Sequence, residues 1–110
     1  MPSVRKVLGR SNPAASTETT LYTPGAGVSA IVSLLTITNK GSGTFKARVA
    51  VTTQAAATAT DWVAYDVPVP PGEQIEMLKG ACLRNADADK VRVWADSVDA
   101  VFVLFGQEDT

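Results

Sequence analysis

Few residues of this sequence could do chemistry, and the side chain most often used as a general base is missing. The chain of 110 residues contains no histidine and one cysteine, Cys82. Without histidine, one chain cannot assemble a Ser-His-Asp or Cys-His catalytic arrangement. Arg84 could lower the pKa of the Cys82 thiol, but a lone free cysteine is usually a small buried hydrophobe. The sequence therefore predicts a protein that is not an enzyme, with Cys82 buried.

An oxygen-rich run at residues 85–89 has the spacing of the first ligands in a calcium loop, with Asn85, Asp87 and Asp89 at alternate positions. Lys90 stands where such a loop requires glycine, and its positive charge opposes cation binding. Asn and Asp are also the residues that favour solvated turns. We therefore expect a turn here, and we expect neither a metal nor another cofactor.

The two tryptophans are candidates for a binding surface. With a period of two, Trp94 shares a strand face with Arg92. Trp62 points to one face of its strand, and Val63 and Tyr65 point to the other face. If the apolar faces of these strands are the inner ones, both indoles point outwards. Trp and Arg are enriched at the dominant positions of protein interfaces, so Trp62, Arg92 and Trp94 are candidate interface residues. The alternative is that another part of the chain covers both indoles.

The two ends of the chain differ in charge, with Arg5, Lys6 and Arg10 near the start and Glu108 and Asp109 near the end. Under one hypothesis the first and last strands lie side by side and pair these charges. Under the other, the basic residues belong to an arm that docks on an acidic partner. The second hypothesis adds the three basic residues to the candidate interface.

Composition and charge exclude several classes of partner. Apolar residues make up 45% of the chain and charged residues 19%, which is typical of a globular protein. Ten basic and eleven acidic residues give a net charge of -1. That balance offers no general attraction to nucleic acid or to anionic membrane. We expect neither of these partners and no small-molecule substrate.

Alternating apolar residues predict antiparallel strands rather than helices. The clearest run is residues 45–51, in which Lys46 and Arg48 separate apolar positions. Gly and Asn in residues 39–43 predict a hairpin that joins strands at 28–38 and 44–53. On the strand at 28–38, Ile31 is expected on the same face as Leu35 and Ile37. The predicted core contains Phe45, Val49, Val51, Tyr65, Phe102 and Leu104.

Seven or eight short strands, separated by turn residues every 8–12 positions, indicate an all-β fold. The sequence predicts a single-domain antiparallel β-sandwich or jelly-roll-like barrel that covers residues 1–110. Within it, residues 1–18 are either strand and connection or a partly extended amino-terminal arm.

Several segments together resemble small all-β virion structural proteins of tailed bacteriophages. They span most of the chain from about Val7 to Glu108 and are packing and turn residues rather than catalytic ones: Leu21-Tyr22-Thr23, Gly25-Ala26-Gly27, Ile31-Val32-Ser33, Ile37-Thr38-Asn39, Trp62 to Pro68 and Leu104 to Glu108.

The resemblance implies a capsid decoration, or cement, protein that binds the outer capsid surface and bridges capsomers. It implies a homotrimer, a major capsid protein as partner, synthesis in the host bacterial cytoplasm and a place in the virion. Two other functions stay open. One is a tail, baseplate or fibre-attachment module, and the other is a carbohydrate-binding β-sandwich in which Trp62 and Trp94 stack on sugar rings.

Overall fold

The computed structural model describes residues 3–110, which form nine β-strands, one short 3-10 turn and no α-helix. No helix in this described part is long and apolar enough to cross a membrane. In chain order the elements are β1 (Ser3–Ser11), β2 (Thr19–Tyr22), β3 (Ser29–Asn39), β4 (Phe45–Thr52), β5 (Trp62–Val69), β6 (Gln74–Leu78), β7 (Cys82–Arg84), the 3-10 turn (Asn85–Asp87), β8 (Lys90–Ala95) and β9 (Ala100–Asp109).

The strands form two antiparallel sheets. Sheet A has the order β1-β9-β3-β6, with β7 also paired to β3, and sheet B has the order β2-β8-β4-β5. Because β6 and β7 both pair with β3, they act as two halves of one interrupted strand. Counted this way, the sheets have four strands each, in the order of a jelly roll. The predicted all-β sandwich is confirmed.

The core lies between the two sheets. Val49 of sheet B and both Phe102 and Leu104 of sheet A are fully buried, and Phe45 is nearly so. These four core predictions are confirmed, because alternation holds from Phe45 to Val49 on β4 and from Ala100 to Gly106 on β9. Val51 is only half-buried and packs against the edge of the core.

The predicted face assignment of β5 is wrong. Tyr65 and Val63 were expected inside, but they are 55% and 52% exposed. The ladder with β4 shifts its register twice, once on each side of Val49. A β-bulge inserts an extra residue and reverses the alternation that follows it. Simple alternation along β5 therefore assigned these side chains to the wrong side.

A bulge also corrects the prediction for β3. Ile31 was expected on the face of Leu35 and Ile37, but it is 44% exposed while they are buried. The ladder of β3 with β9 shifts between Val32 and Leu34. The inward and outward positions are therefore exchanged across this shift, so Ile31 points outwards although Leu35 and Ile37 point into the core.

The predicted hairpin between β3 and β4 does not form, since β3 belongs to sheet A and β4 to sheet B. The buried side chain of Asn39 explains the crossing. Its amide nitrogen Nδ2 donates to the carbonyl oxygens of Gly43 (2.7 Å) and Val69 (2.9 Å), and its Oδ1 accepts from the backbone N–H of Gly41 (2.9 Å). These bonds fix the turn as a passage from one sheet to the other.

The amino-terminal segment is an edge strand where the described residues begin, rather than a free arm. Ser3–Ser11 pairs with β9 from end to end, except for Leu8 at a register shift between Val7 and Gly9. At Gly9 the chain passes so close to β2 that an added Cβ would lie 2.6 Å from the carbonyl oxygen of Leu21. Met1 and Pro2 lie outside the described residues.

Candidate interaction surface

The outer face of sheet B carries the candidate site, and Arg48 stands at its centre. Ala47 and Val49 point into the core, so Arg48 between them points outwards. In the ladder between β4 and β8, Arg48 lies directly opposite Trp94. Directly opposed residues share a face and lie within contact distance. This pairing therefore stacks the arginine and the indole.

The bulge in β5 brings two more side chains to Arg48. Ala47 pairs with Val67 and Val49 pairs with Ala64, so two β5 residues, Tyr65 and Asp66, oppose the single residue Arg48. Asp66 takes a left-handed backbone conformation, with φ of 52°. Aspartate is one of the few non-glycine residues that adopts this conformation readily.

The result is a compact group, here called the arginine–aromatic cluster: Arg48, Trp62, Tyr65, Asp66 and Trp94. The guanidinium carbon of Arg48 lies 4.1 Å from the ring centroids of both Tyr65 and Trp94, and 5.9 Å from that of Trp62. Its Nε donates a 2.6 Å hydrogen bond to Oδ1 of Asp66. The arginine is therefore held on several sides.

The charges in the cluster stabilise each other. The hydrogen bond from Arg48 lowers the pKa of Asp66 below its ordinary value, against a smaller opposing effect of desolvation. The same bond raises the pKa of Arg48. Both groups are thus ionised at neutral pH, and the guanidinium is pre-oriented before any partner arrives.

An open recess adjoins the cluster. The rings of Trp62 and Tyr65 meet edge to face, with centroids 5.6 Å apart and planes at 71°. With Ala59 they line a recess of about 550 Å³. Its walls are mainly aromatic, so a flat apolar group would fit against them.

Arg92 lies on the same face, but all three nitrogens of its guanidinium form hydrogen bonds within the protein. Nε bonds to the carboxylate of Glu18, Nη1 to the hydroxyl of Thr20, and Nη2 to the carbonyl oxygen of Glu18 at 3.3 Å. The Glu18 carboxylate also accepts from the backbone N–H of Ala57 at 3.0 Å. Arg92 therefore ties two loops to β8 and borders the cluster.

The basic residues of β1 lie on the other sheet. Lys6 forms a 3.2 Å ion pair with Glu108, which also accepts a 2.5 Å hydrogen bond from the hydroxyl of Tyr22. The hypothesis that the first and last strands lie side by side and pair their charges is confirmed for Lys6 and Glu108. Arg5 and Arg10 are exposed, and the ladder between β1 and β9 places them on the outer face of sheet A.

The structure thus brings together only part of the predicted set. Trp62 and Trp94 meet around Arg48, whereas Arg5, Lys6 and Arg10 lie elsewhere. The sequence prediction missed Arg48, Tyr65 and Asp66. Arg48 was recognisable as an outward residue between buried positions, but its partners depend on strand pairing and a bulge.

Cys82 and the 85–89 run have no part in the cluster. Cys82 is exposed, so the prediction that it is buried is wrong. Within the short strand β7 it alternates with Leu83, which takes the inner position. Asp89 accepts from the backbone N–H of Arg84 at 3.0 Å, as expected of a turn. Among residues 3–110, no three acidic, Cys or His side chains are grouped so that they could hold a metal ion.

No protein-family model and no curated protein matches the sequence. The chain is similar over 97% of its length to a structure of infectious bursal disease virus, Gx strain, at 12% identity and a TM-score of 0.50. It spans 30% of that viral chain. A pentameric capsid protein isolated from metagenomic phage sequences aligns with 98% of this chain and 60% of its own, at 14% identity and a TM-score of 0.41. At such identities the first likeness concerns the fold alone.

Proposed function

We propose that this protein is a virion structural protein, and more specifically a capsid decoration protein that binds the outer capsid surface and bridges capsomers. The observation that carries the proposal is the arginine–aromatic cluster on the outer face of sheet B. The jelly-roll topology supports it, since viral capsid domains commonly use this fold. Lectins and cupins use it too, so the argument depends on the site rather than on the fold.

The cluster has the composition of a strong protein contact. Trp, Tyr and Arg are the residue types that dominate binding energy at interfaces. Arg48 is already stacked and hydrogen-bonded, so a partner that docks on it loses little side-chain entropy. A preorganised cluster that is partly exposed, with Tyr65 the most exposed member, suits a role in which binding is the whole function.

The proposed assembly is a homotrimer bound to the major capsid protein. Threefold positions between capsomers present three equivalent seams, and a trimer of matched symmetry repeats one contact at each of them. Three modest contacts then act as one strong contact through avidity. The protein would be made in the host bacterial cytoplasm and function in the virion, without nucleic acid, membrane or a small-molecule substrate as partner.

Electron microscopy of purified particles tests this proposal. Density for the protein at icosahedral positions on the capsid is the expected result. Density on the tail would instead favour a tail, baseplate or fibre-attachment module, and absence from the particles would overturn both functions. Tyr65→Ala should reduce particle occupancy, whereas Val4→Ala, a change of an exposed apolar residue on β1 of sheet A, should not.

The aromatic recess favours a second candidate, carbohydrate binding. Sugar rings stack on exposed aromatic side chains, and the charged pair Arg48–Asp66 beside Tyr65 offers a hydrogen-bond donor and acceptors. Titration of the protein with soluble oligosaccharides, followed by tryptophan fluorescence, separates the two functions. A saturable response that Trp62→Ala abolishes would support the carbohydrate function, and no response would leave the protein–protein contact as the better account.

A further inference from the structure

The outer face of sheet A carries a band of partly exposed apolar side chains. Phe105 of β9 lies between Val7 of β1 and Leu34 of β3 in the paired ladders. Val103 occupies the next outward position on β9, and Ile31 the preceding outward position on β3. Phe105 is 38% exposed and Ile31 is 44% exposed. A contiguous apolar band whose largest members are more than a third exposed is typical of an interaction surface.

Opposite charges stand at the two ends of one transverse row across this face. The row runs from Arg10 on β1 through Val103 on β9 and Thr36 on β3 to Glu76 on β6. Thr36 is only 3% exposed, so the accessible groups of this row are at its two ends. Arg10 and Glu76 are both exposed. Glu76 also forms a 2.8 Å ion pair with Lys79, but both partners are more than half exposed, so solvent weakens that pair.

We infer that the outer face of sheet A is the docking site for a second copy of this chain. The two copies pack face to face about a twofold axis that runs parallel to the strands. This contact lies outside the arginine–aromatic cluster on sheet B, and it does not depend on the proposed function.

The charges favour this axis over a twofold axis that also lies in the interface but runs perpendicular to the strands. A twofold axis in the plane of the interface and perpendicular to the strands would place β1 over β1, so that its arginines would face each other. An axis parallel to the strands places β1 of one copy over β6 of the other. Each transverse row then lies over the same row of the second copy, in the reverse direction. Arg10 then faces Glu76 of the second copy at both ends of the interface. A twofold contact repeats every favourable pair, which makes the surface self-complementary.

The size of the face is consistent with a reversible dimer. Strands about 4.8 Å apart and outward residues about 6.8 Å apart along each strand give a face of about 20 by 25 Å. Both copies together would bury about 1,000 Å², which is near the lower limit for a specific interface. Packed sheets lie about 10 Å apart, a gap that the long Arg10 and Glu76 side chains can bridge. We therefore expect association that depends on concentration.

Analytical ultracentrifugation of the full chain tests the inference. Between about 1 and about 100 µM, the expected masses are multiples of a dimer of 11.5 kDa chains. Arg10→Glu and Glu76→Arg should each raise the dimer dissociation constant at least about tenfold, because each places like charges opposite each other. The double variant restores the pairs with reversed signs and should return to within about threefold of the original constant. Lys46→Glu, the same type of change on the outer face of sheet B, should have no effect.

The outcomes separate this inference from the proposed function. A monomer or a trimer at all concentrations would overturn the twofold contact, and a trimer would at the same time support the proposed assembly. If the protein is a dimer and the double variant restores its dissociation constant, the contact is supported and the proposed trimer is contradicted. This result would say nothing about binding to particles. A hexamer that both single variants convert to trimers would support both. Failure of the double variant to restore association would overturn the Arg10–Glu76 pairing.

Discussion

Asp66 accepts a 2.6 Å hydrogen bond from Nε of Arg48 while its own backbone has a φ of 52°. The two facts are connected, because the left-handed residue belongs to the bulge that sets Tyr65 and Asp66 opposite Arg48. A regular strand would place one residue there and would turn its neighbour to the other face. The arginine–aromatic cluster therefore depends on this local irregularity of β5.

The first prediction concerns that irregularity. Asp66→Ala and Asp66→Gly both remove the carboxylate, but only glycine adopts a positive φ without strain. Asp66→Ala should therefore lower the free energy of unfolding by about 1 kcal/mol more than Asp66→Gly does. Denaturant unfolding of the two variants measures the difference. An equal or larger loss for Asp66→Gly would mean that the left-handed conformation is not maintained in solution.

The second prediction concerns pH. Burial, followed by the hydrogen bond and charge of Glu108, raises the pKa of Tyr22 above its ordinary value of 10.0. That contribution to stability is therefore complete below about pH 10 and is lost as the pH rises beyond it. The bonds from Tyr22 and Lys6 lower the pKa of Glu108 below its ordinary 4.5, so its contribution is present above that value and is lost as the pH falls.

Tyr22→Phe removes the shared hydrogen bond and reduces both effects. Its free energy of unfolding should lie about 1 kcal/mol below that of the unchanged protein around pH 7. The gap should narrow above about pH 10 and below about pH 4. Chemical unfolding of both proteins across this range measures the gap. A gap that is constant with pH would contradict the coupling of Tyr22 to Glu108.

The third prediction tests which faces are buried. Val49→Asp should prevent folding, since Val49 is fully buried and an unpaired carboxylate in the core costs several kcal/mol. Val63→Asp is the matched control, because Val63 is 52% exposed on β5 and should accept the same change with the fold intact. Circular dichroism and thermal melting distinguish the variants. A folded Val49→Asp protein would show that the two faces of β4 are assigned in reverse.

The fourth prediction concerns β1. Deletion of residues 1–8 removes the ladder from Ser3 to Val7 and the Lys6–Glu108 pair. The melting temperature should fall by about 10 °C or more. The double substitution Arg5→Ala and Lys6→Ala keeps the strand and removes two exposed charges, so its melting temperature should change by no more than a few degrees. An unchanged melting temperature after the deletion would favour the arm.

Much of the fold can be predicted from the sequence, because the alternation of apolar and polar residues along a strand is a local property. Phe102 and Leu104 follow it on β9, Val49 follows it on the first half of β4, and each was predicted in the core. The opposite charges of the chain ends led to two hypotheses, and one of them contains the contact between Lys6 and Glu108 that the structure shows. The core positions follow from neighbouring residues in the chain, and the contact between the two chain ends follows from their opposite charges.

Strand pairing and bulges are not local, and there the sequence prediction was wrong. Residues 39–43 have the composition of a hairpin turn, but the Asn39 side chain directs the chain into the other sheet. Because of the bulges in β3 and β5, Ile31 and Tyr65 point outwards and not into the core. One inserted residue moves every side chain beyond it to the opposite face of the sheet. Cys82 is exposed because Leu83 beside it takes the inner position.

By itself, the sequence determined that the chain forms an all-β sandwich with a core of alternating apolar residues and without the side chains of the common catalytic triads. Only the tertiary structure decided which side chains surround Arg48. Arg48 meets Trp94 because β4 and β8 are paired, although 46 positions separate the two residues in the chain. Tyr65 and Asp66 reach Arg48 because β5 bulges at that point. Both relationships depend on contacts between distant segments, which no local pattern of residues specifies.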